Sequence, residues 1–334
     1  MSLYGLARPF LFALDPETAH RLTLKCAAAA KFALPAVPSR PVTVMGMAFR
    51  NPVGCAAGID KNAEHVDTLS AMGFGFVELG GVTPRPQPGN PKPRLFRVVP
   101  ARAIINRFGL NSEGVEAFAD NLKRARARTI IGVNIGKNKD TPNESAVADY
   151  ERCLEVLYPH VHYLSINVSS PNTKGLRDLQ SAAALAALLR RMRERRDELS
   201  QSHGRRVALA VKISPDLDDA GVREFADVVR KERMDAIVAT NTTVSRDGLE
   251  GLAEARQEGG LSGEPLRSRA LHVLRTLSTH LRGEVPLIGC GGVMNGQDAR
   301  SRYEAGASLL QIYTGLVYRG PQLIAECVDA YPGT

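Results

Sequence analysis

The chain has 334 residues, of which 44% are hydrophobic and 23% charged, a composition that excludes a disordered chain and provides for a sizeable core. Its formal net charge is +8, from 43 basic and 35 acidic residues. A basic balance favours anionic partners, namely nucleic acid, an anionic membrane surface or an acidic small molecule, without choosing among them. No apolar run approaches the roughly 20 residues of a membrane-spanning helix, and we expect no signal peptide at the N-terminus.

The first 40 residues predict two short helices outside the main fold. An apolar face of the first helix contains Leu3, Leu6, Phe10 and Leu14. Asp15 can cap the second helix, Pro16 suits its first position, and Glu17 favours the positive end of the helix dipole. Residues 34–41 form a proline-rich linker. The helical pair either packs against the rest of the protein or lies on a membrane with its apolar face in the interface.

From residue 52 onward, short β-branched runs alternate with longer amphipathic stretches. The predicted strands are residues 52–57, 75–80, 130–135, 163–168, 207–213, 236–240, 286–289 and 308–313. Helical patterns follow them, among them residues 63–72, 115–126, 182–199, 221–231, 267–281 and 321–330. Eight such units predict an α/β fold, a (β/α)₈ TIM barrel with a small N-terminal helical extension. A doubly wound open sheet is the alternative, but no G-x-G-x-x-G fingerprint follows the first strand.

One connection, residues 82–114, is much longer than the usual link between a strand and its helix, and it is rich in proline. A loop of this length in a compact domain usually has a function. An inert insertion is the other interpretation.

The cysteines are scattered, with no pair at the C-x-x-C spacing of zinc and redox sites. They are Cys26, Cys55, Cys153, Cys290 and Cys327. We expect reduced thiols in a cytosolic compartment, each of them a small core residue. His160 and His162 have no third ligand near them in the sequence, and no Asp/Glu cluster follows the strands, so we expect no metal.

Polar residues follow the ends of the predicted strands, where barrel enzymes place their sites. They are Asp60, Lys61, Asn134, Asn167, Ser170, Lys212, Thr240, Asn241, Thr242, Tyr313 and Thr314. So many polar strand ends are hard to explain by packing, because buried polar groups need partners. Amides carry donors and acceptors in one plane and suit a heterocyclic ligand, while the glycines after the last two strands suit a phosphate.

Several motifs resemble those of dihydroorotate dehydrogenases, most closely the quinone-reducing, membrane-associated class. In chain order they are residues 57–61, 83–94, 106–110, 134–138, 167–173 and 239–242. The resemblance covers nearly the whole chain, including the N-terminal helices. It implies a barrel that holds FMN and oxidises dihydroorotate to orotate in pyrimidine biosynthesis, with a membrane quinone as the final electron acceptor.

The resemblance also implies roles for single residues. Ser170 takes the position of the catalytic base and Thr173 that of its relay partner. The substrate positions are Lys61, Asn106, Arg107, Phe108, Gly109, Leu110, Asn167, Asn172, Asn241 and Thr242. The flavin positions are Ala57, Gly58, Ile59, Asp60, Lys61, Gly81, Asn134, Asn167, Lys212, Thr240, Gly263, Gly292, Tyr313 and Thr314. A quinone tunnel under the N-terminal helices would include His20, Arg97 and Tyr313.

Two positions depart from the family pattern. Leu110 stands where the family usually has phenylalanine, beside the proposed relay, and Gly81 stands where threonine is common. The first departure affects the proton path and not the reaction. A backbone contact from Gly81 to flavin would survive the second.

The resemblance further implies how the chain is divided and where it works. We expect residues 1–40 to associate with quinone and membrane, and residues 41–334 to form the FMN-binding barrel. The expected protein is a monomer without a nucleic-acid partner, held peripherally on the cytoplasmic side of a bacterial inner membrane.

Three alternatives are weighed against this interpretation. The soluble classes of the same enzyme use a cysteine base with fumarate or NAD, and both Ser170 and the N-terminal helices disfavour them. A flavin-dependent tRNA dihydrouridine synthase is also a basic barrel, but it needs a catalytic cysteine and extra RNA-binding structure. A phosphate-binding barrel without catalytic activity is the third, and its purified protein would be colourless where a flavoprotein is yellow.

Overall fold

Strands and helices alternate in the computed structural model, which describes residues 3–29 and 36–333. The helices are α1 (Leu3–Ala13), α2 (Pro16–Ala29), α3 (Val66–Ala71), α4 (Val115–Arg124), α5 (Ala146–Leu157), α6 (Ala182–His203), α7 (Asp219–Lys231), α8 (Arg267–Leu281), α9 (Gly296–Glu304), α10 (Thr314–Arg319) and α11 (Gln322–Asp329). The strands are β1 (Val42–Val44), β2 (Met47–Phe49), β3 (Val53–Cys55), β4 (Phe76–Val82), β5 (Leu95–Val98), β6 (Ala103–Asn106), β7 (Ile130–Ile135), β8 (Tyr163–Asn167), β9 (Ala208–Ile213), β10 (Ala236–Ala239), β11 (Gly260–Gly263), β12 (Leu287–Cys290) and β13 (Leu309–Ile312).

Eight parallel strands close into a barrel, and each of them overlaps a segment predicted as a strand; β4 and β12 extend two residues and one residue beyond the predicted ends. Their order around the barrel is the order in the chain: β3, β4, β7, β8, β9, β10, β12 and β13. The last strand pairs with the first, with Leu310 opposite Val53. The predicted (β/α)₈ barrel is therefore confirmed, and the open sheet is excluded.

Aromatic rings fill one end of the barrel interior. Phe76 contacts Phe49 edge-to-face at 5.3 Å between ring centroids, and Tyr163 at 6.4 Å. Two strand glycines make room for these rings: a Cβ on Gly54 would lie 2.3 Å from Phe76, and one on Gly132 would lie 2.0 Å from Tyr163. Phe49 comes from the β1–β2 hairpin, so this hairpin packs against the filled end and leaves the carboxyl ends of the strands for a cavity.

The long connection after β4 is not a plain loop. It contains the hairpin β5–β6, and β11 adds to β6 with Leu261 opposite Ile105. Residues 260–263 thus form the strand β11, whose glycines permit close packing. A Cβ on Gly260 would lie 1.9 Å from the Oγ1 atom of Thr242.

The N-terminal helices are present as predicted and pack on the barrel. Asp15 caps α2 by accepting the N–H of Thr18 at 2.9 Å. Glu17 pairs with Arg94 at 2.6 Å and with Lys92 at 2.8 Å, which fastens α2 to the connection after β4. Part of the predicted linker, residues 34 and 35, lies outside the described residues. None of the described helices combines the length and apolar character needed to cross a membrane.

Helix α3 is shorter than the predicted helix over residues 63–72. It begins only at Val66 because the carboxyl group of Asp60 accepts the N–H groups of Glu64 and His65, at 3.0 and 2.7 Å. These bonds hold the residues after β3 in a turn.

Candidate active site

A cavity opens at the carboxyl ends of the barrel strands, under the sheet formed by β5, β6 and β11. Most residues predicted for the site line it: Ala57, Gly58, Lys61, Gly81, Asn106, Phe108, Gly109, Leu110, Asn134, Asn167, Ser170, Asn172, Lys212, Thr240, Asn241, Thr242, Gly263, Gly292, Tyr313 and Thr314. Residues in or just after all eight barrel strands, together with residues of the long connection, thus meet at one place.

Four residues predicted for the site do not line this cavity, namely Ile59, Asp60, Arg107 and Thr173. Ile59 packs in the hydrophobic core. Asp60 uses its carboxyl group to cap the turn before α3, and burial raises its pKa. Arg107 turns outward, donates to Gln257 at 3.0 Å and stacks on the ring of Phe96.

Ser170 lies just beyond β8 and lines the cavity while being only 7% exposed. Its Oγ accepts the N–H of Asn172 at 3.3 Å, which fixes the hydroxyl in the loop. Thr173, three residues on, does not line the cavity. Its Oγ1 is buried and has no hydrogen-bond partner among the described residues. A buried hydroxyl without a partner is unusual and is free to bond a water or another hydroxyl.

A chain of amides crosses the barrel interior. Asn241 donates to Asn167 at 3.3 Å, Asn167 donates to Asn134 at 2.8 Å, and Asn134 donates to the Oε1 atom of Glu78 at 3.3 Å. A carboxylate can only accept hydrogen bonds, so the NH₂ group of Asn134 must face Glu78. The oxygen of Asn134 then faces Asn167, and the orientation of each following amide is set in the same way.

Glu78 was not singled out in the sequence, although an acidic residue within the apolar strand β4 indicates a buried polar contact. It is fully buried and also accepts from the hydroxyl of Tyr163 at 2.9 Å and from Gln311 at 2.6 Å. Ser169 had no expected role, yet its hydroxyl accepts from Asn241 at 3.0 Å.

A second amide pair lies under the sheet over the cavity. Asn172 donates to Asn106 at 3.1 Å, and Asn106 donates to the carbonyl of Gly260 at 3.4 Å. The loop after β8 is thereby tied to β6 and β11.

Two lysines face the cavity. The Nζ atom of Lys61 lies 4.3 Å from the ring centroid of Phe108. Burial, with a smaller contribution from the nearby charge of Arg94, lowers the pKa of Lys61 to about 8. Lys212 projects from β9 on the opposite side of the barrel and is 7% exposed. Both positions suit an anionic ligand.

Close backbone contacts shape the end of the cavity after the last two strands. A Cβ on Gly263 would lie 2.4 Å from the carbonyl oxygen of Arg102, and one on Gly292 would lie 2.3 Å from the Cα of Arg267. Both glycines also have positive φ angles, 96° and 71°. A residue with a side chain is therefore disfavoured both by this backbone conformation and by the close contact. Ser262, Gly291, Val293 and Gly315 also line this end and were not singled out in the sequence.

The departure at Leu110 has a structural counterpart. Leu110 adopts a φ of 53°, and its side chain lies against the glycines on either side of it in space. A Cβ on Gly81 would come within 3.0 Å of Leu110, and one on Gly136 within 2.8 Å. The leucine therefore depends on these glycines.

A second, largely apolar cavity lies between α1, α2 and the barrel. It contains His20 and Arg97, and it shares Leu95, Ile104 and Tyr313 with the first cavity. His20 Nε2 lies 2.8 Å from the carbonyl oxygen of Ile59 and so carries the proton, and burial lowers the pKa of His20 to about 4. Arg97 donates to the carbonyls of Leu11 and Phe12 at the end of α1, at 2.9 and 3.1 Å. The three residues predicted for a tunnel thus lie together.

The cysteines are all free thiols, and Cys290 lines the cavity. Burial raises the pKa of Cys290, which disfavours a thiolate nucleophile. Cys26, on α2, is exposed, contrary to the expectation of a core residue. Residues 3–29 and 36–333 contain no group of three His, Cys, Asp or Glu side chains placed to hold a metal.

Comparisons with known proteins point in one direction. The family model described as "Dihydroorotate dehydrogenase" matches residues 40–331. A protein of Burkholderia cenocepacia named "Dihydroorotate dehydrogenase (quinone)" is 52% identical over 335 residues, which cover 98% of this chain and 97% of its own. A protein of Thiobacillus denitrificans with the same name is 52% identical over 332 residues, covering 98% of each chain.

Solved structures agree with the sequence relatives. The crystal structure of DHODH from Eimeria tenella in complex with ferulenol superimposes with a TM-score of 0.88 at 38% identity, covering 95% of this chain and 90% of that one. The ligand-free structure from the same organism gives a TM-score of 0.87 at 39% identity, covering 95% and 94%.

Proposed function

The chain belongs to the dihydroorotate dehydrogenase family, and we propose that it oxidises dihydroorotate to orotate in pyrimidine biosynthesis and passes the electrons through a flavin to a quinone. The observation that carries this proposal is the junction of two cavities of different character. A polar cavity with amides, lysines and Ser170 meets an apolar cavity at Tyr313, Leu95 and Ile104. Two reactants of opposite polarity can thus approach one cofactor from different sides.

The family is flavin-dependent, and the finer proposal is that the flavin is FMN. The residues fit this group: the cavity end lined by Gly263, Gly292 and Thr314 suits a phosphate, and the amide of Asn134 and the ammonium group of Lys212 offer polar contacts to a flavin ring. When bound, FMN supplies the acceptor for the hydride that leaves the substrate. A cation at Lys212 would stabilise negative charge that develops beside it.

Ser170 is the proposed base that removes the substrate proton. A serine hydroxyl is intrinsically a poor base, so the proton that it takes up or releases must be passed on to another group. The unpartnered Oγ1 of Thr173 supports such a route, because it offers a hydroxyl three residues from Ser170 with its hydrogen-bonding capacity unused. Leu110 has no polar atom to contribute to this route.

The proposed substrate contacts divide by charge. Lys61 binds the carboxylate of dihydroorotate, and the amides of Asn106, Asn167, Asn172 and Asn241 bind the imide and carbonyl edges of its ring. The chain of amides ending at Glu78 supports this role because it holds the amides in one orientation before the substrate arrives.

Residues 1–40 form the proposed quinone- and membrane-associating segment, and residues 41–334 the FMN-binding barrel. Exposed apolar side chains on α1, such as Phe10 at 78% and Leu6 at 56%, suit shallow contact with a lipid surface. We place the protein as a peripheral monomer on the cytoplasmic side of a bacterial inner membrane.

The tRNA dihydrouridine synthase alternative is not favoured. The similar proteins are named as dihydroorotate dehydrogenases, and Cys290, a cysteine of the cavity wall, has a raised pKa. A direct test is the effect of tRNA: it should not compete with dihydroorotate for the yellow protein, and competition would revive the RNA substrate.

The experiment that tests the proposed function is identification of the released cofactor. The purified protein should be yellow, and heat or acid denaturation should release FMN, identified by chromatography against FAD and riboflavin. A colourless protein, or one that releases FAD, contradicts the proposal.

The pKa of Lys61 predicts how orotate binding changes with pH. Below about pH 8 Lys61 is protonated and attracts the orotate carboxylate; above that pH the neutral amine does not. We therefore expect the dissociation constant of orotate, measured from the shift of the flavin spectrum, to rise about tenfold per pH unit once the pH exceeds that value. The Lys61→Met variant should bind weakly at every pH without this slope. An equally flat profile in the unmodified protein would remove Lys61 from the carboxylate site.

A further inference from the structure

A buried arginine lies behind the glycine-rich end of the active-site cavity. Arg302, on α9, is fully buried (0% exposed) and does not line the cavity. Its Nη2 donates to the carbonyl oxygens of Gly291 and Arg267, both at 2.8 Å. Gly291 does line the cavity, so the guanidinium lies on the far side of this backbone.

The two carbonyls belong to backbone segments that touch each other. A Cβ on Gly292 would lie 2.3 Å from the Cα of Arg267, so Arg302 joins the loop after β12 to the start of α8 at their contact. In a trans peptide the N–H points opposite to the carbonyl. Holding the Gly291 carbonyl toward Arg302 therefore turns the N–H of Gly292 toward the cavity. Within residues 3–29 and 36–333, this N–H has no protein acceptor.

Within the described residues Arg302 forms no salt bridge, although the charge of nearby Asp298 partly offsets the lowering of its pKa by burial. Arg102 and Arg267 pair with Glu264, and Arg267 also lies 2.9 Å from the carboxylate of Asp298. The Nε and Nη1 atoms of Arg302 are buried without a hydrogen-bond partner in the described part of the chain. A neutral donor would satisfy the two carbonyls with a smaller desolvation cost, so carbonyl binding alone does not account for a charged side chain here.

Arg302 keeps its charge at neutral pH. Burial lowers its pKa to about 10, which is still well above neutrality. In surroundings of low effective dielectric constant, a fixed charge acts on an anion over several ångströms without contact.

We propose that Arg302 is a positioning residue for the phosphate group of the flavin: it orients the N–H of Gly292 in the loop after β12 toward the cavity and supplies positive charge behind it. This inference rests on the proposed function, because it takes the flavin to be FMN. It predicts that Arg302 contributes to binding of the phosphate and not of the flavin ring.

The test compares FMN with riboflavin, which has the same ring and no phosphate. Full-length apoprotein is titrated with each flavin, and binding is followed by quenching of flavin fluorescence. In Arg302→Gln, which keeps an amide donor and removes the charge, we expect the preference for FMN over riboflavin to fall by about tenfold or more. Arg302→Lys, which keeps the charge, should retain most of the preference. Arg300→Gln removes an exposed charge from the same helix and should leave it unchanged.

Equal weakening of both flavins in Arg302→Gln would mean a general packing role and overturn the proposal, as would an unchanged preference. A salt titration of the unmodified apoprotein tests it without a variant: a buried charge is weakly screened, so the FMN preference should persist at high salt, and its collapse would assign the preference to exposed charges. Unmodified apoprotein that binds neither flavin overturns the proposed function as well. An FMN preference that the variants keep overturns this inference alone.

Discussion

Replacing Ser170 with alanine should leave the flavin bound and lower the rate of dihydroorotate oxidation by about 100- to 10 000-fold at neutral pH, the usual contribution of a general base. Ser170 lies just beyond β8 in the cavity wall, and within the described residues its hydroxyl accepts only a backbone N–H, at 3.3 Å, so its loss removes little structure. The measurement is the rate of flavin reduction after anaerobic mixing with dihydroorotate.

Ser181→Ala provides the matched control, because Ser181 is exposed and its side chain makes no cap bond at the start of α6. It should reduce flavin at the unmodified rate. If Ser170→Ala is also reduced at nearly the unmodified rate at neutral pH, another group is the base and the assignment of Ser170 fails.

Filling the apolar cavity should slow the reduction of quinone without slowing the reduction of flavin by dihydroorotate. Ala7, on α1, lines this cavity and is otherwise exposed, so a tryptophan there adds bulk without entering the core. In Ala7→Trp we expect kcat/KM for a quinone to fall about tenfold or more, which corresponds to a loss of about 1.4 kcal/mol in binding. Flavin reduction by dihydroorotate should keep its rate.

Lys25→Trp tests whether a large side chain anywhere on α1 and α2 is enough to slow quinone reduction. Lys25 is exposed on α2 and does not line the cavity, so this variant should reduce quinone normally. Equal quinone kinetics in Ala7→Trp and the unmodified protein would move the quinone site away from α1 and α2.

The barrel could be predicted because its signals are local. Each barrel strand is a short run such as Ile130–Ile135 with a polar residue or glycine at its end, and the order of strands around the barrel is their order in the chain. The polar strand ends therefore predicted part of the cavity wall without knowledge of any contact, and the family resemblance added further residues of it.

The sheet over the cavity could not be predicted in this way. β11 pairs with β6 across about 160 residues, with Gly263 opposite Ala103, and its glycines are typical of a loop. What makes it a strand is the close approach of Thr242 to Gly260, a tertiary contact that no local pattern contains.

Buried charges were missed for a related reason. Glu78 and Arg302 are both fully buried, but in the sequence one is a single acid in an apolar strand and the other is one of several polar residues on α9. Their partners, the side chain of Asn134 and the carbonyl of Gly291, are known only from the fold. Family resemblance pointed to residues of the cavity wall and not to those behind it.

The most direct test is an anaerobic titration of the purified yellow protein in two steps. Dihydroorotate should bleach the flavin, and a ubiquinone analogue added next should restore its colour, whereas fumarate and NAD⁺ should not. A flavin that dihydroorotate does not bleach, or that fumarate or NAD⁺ reoxidises as fast as the quinone does, would contradict the account.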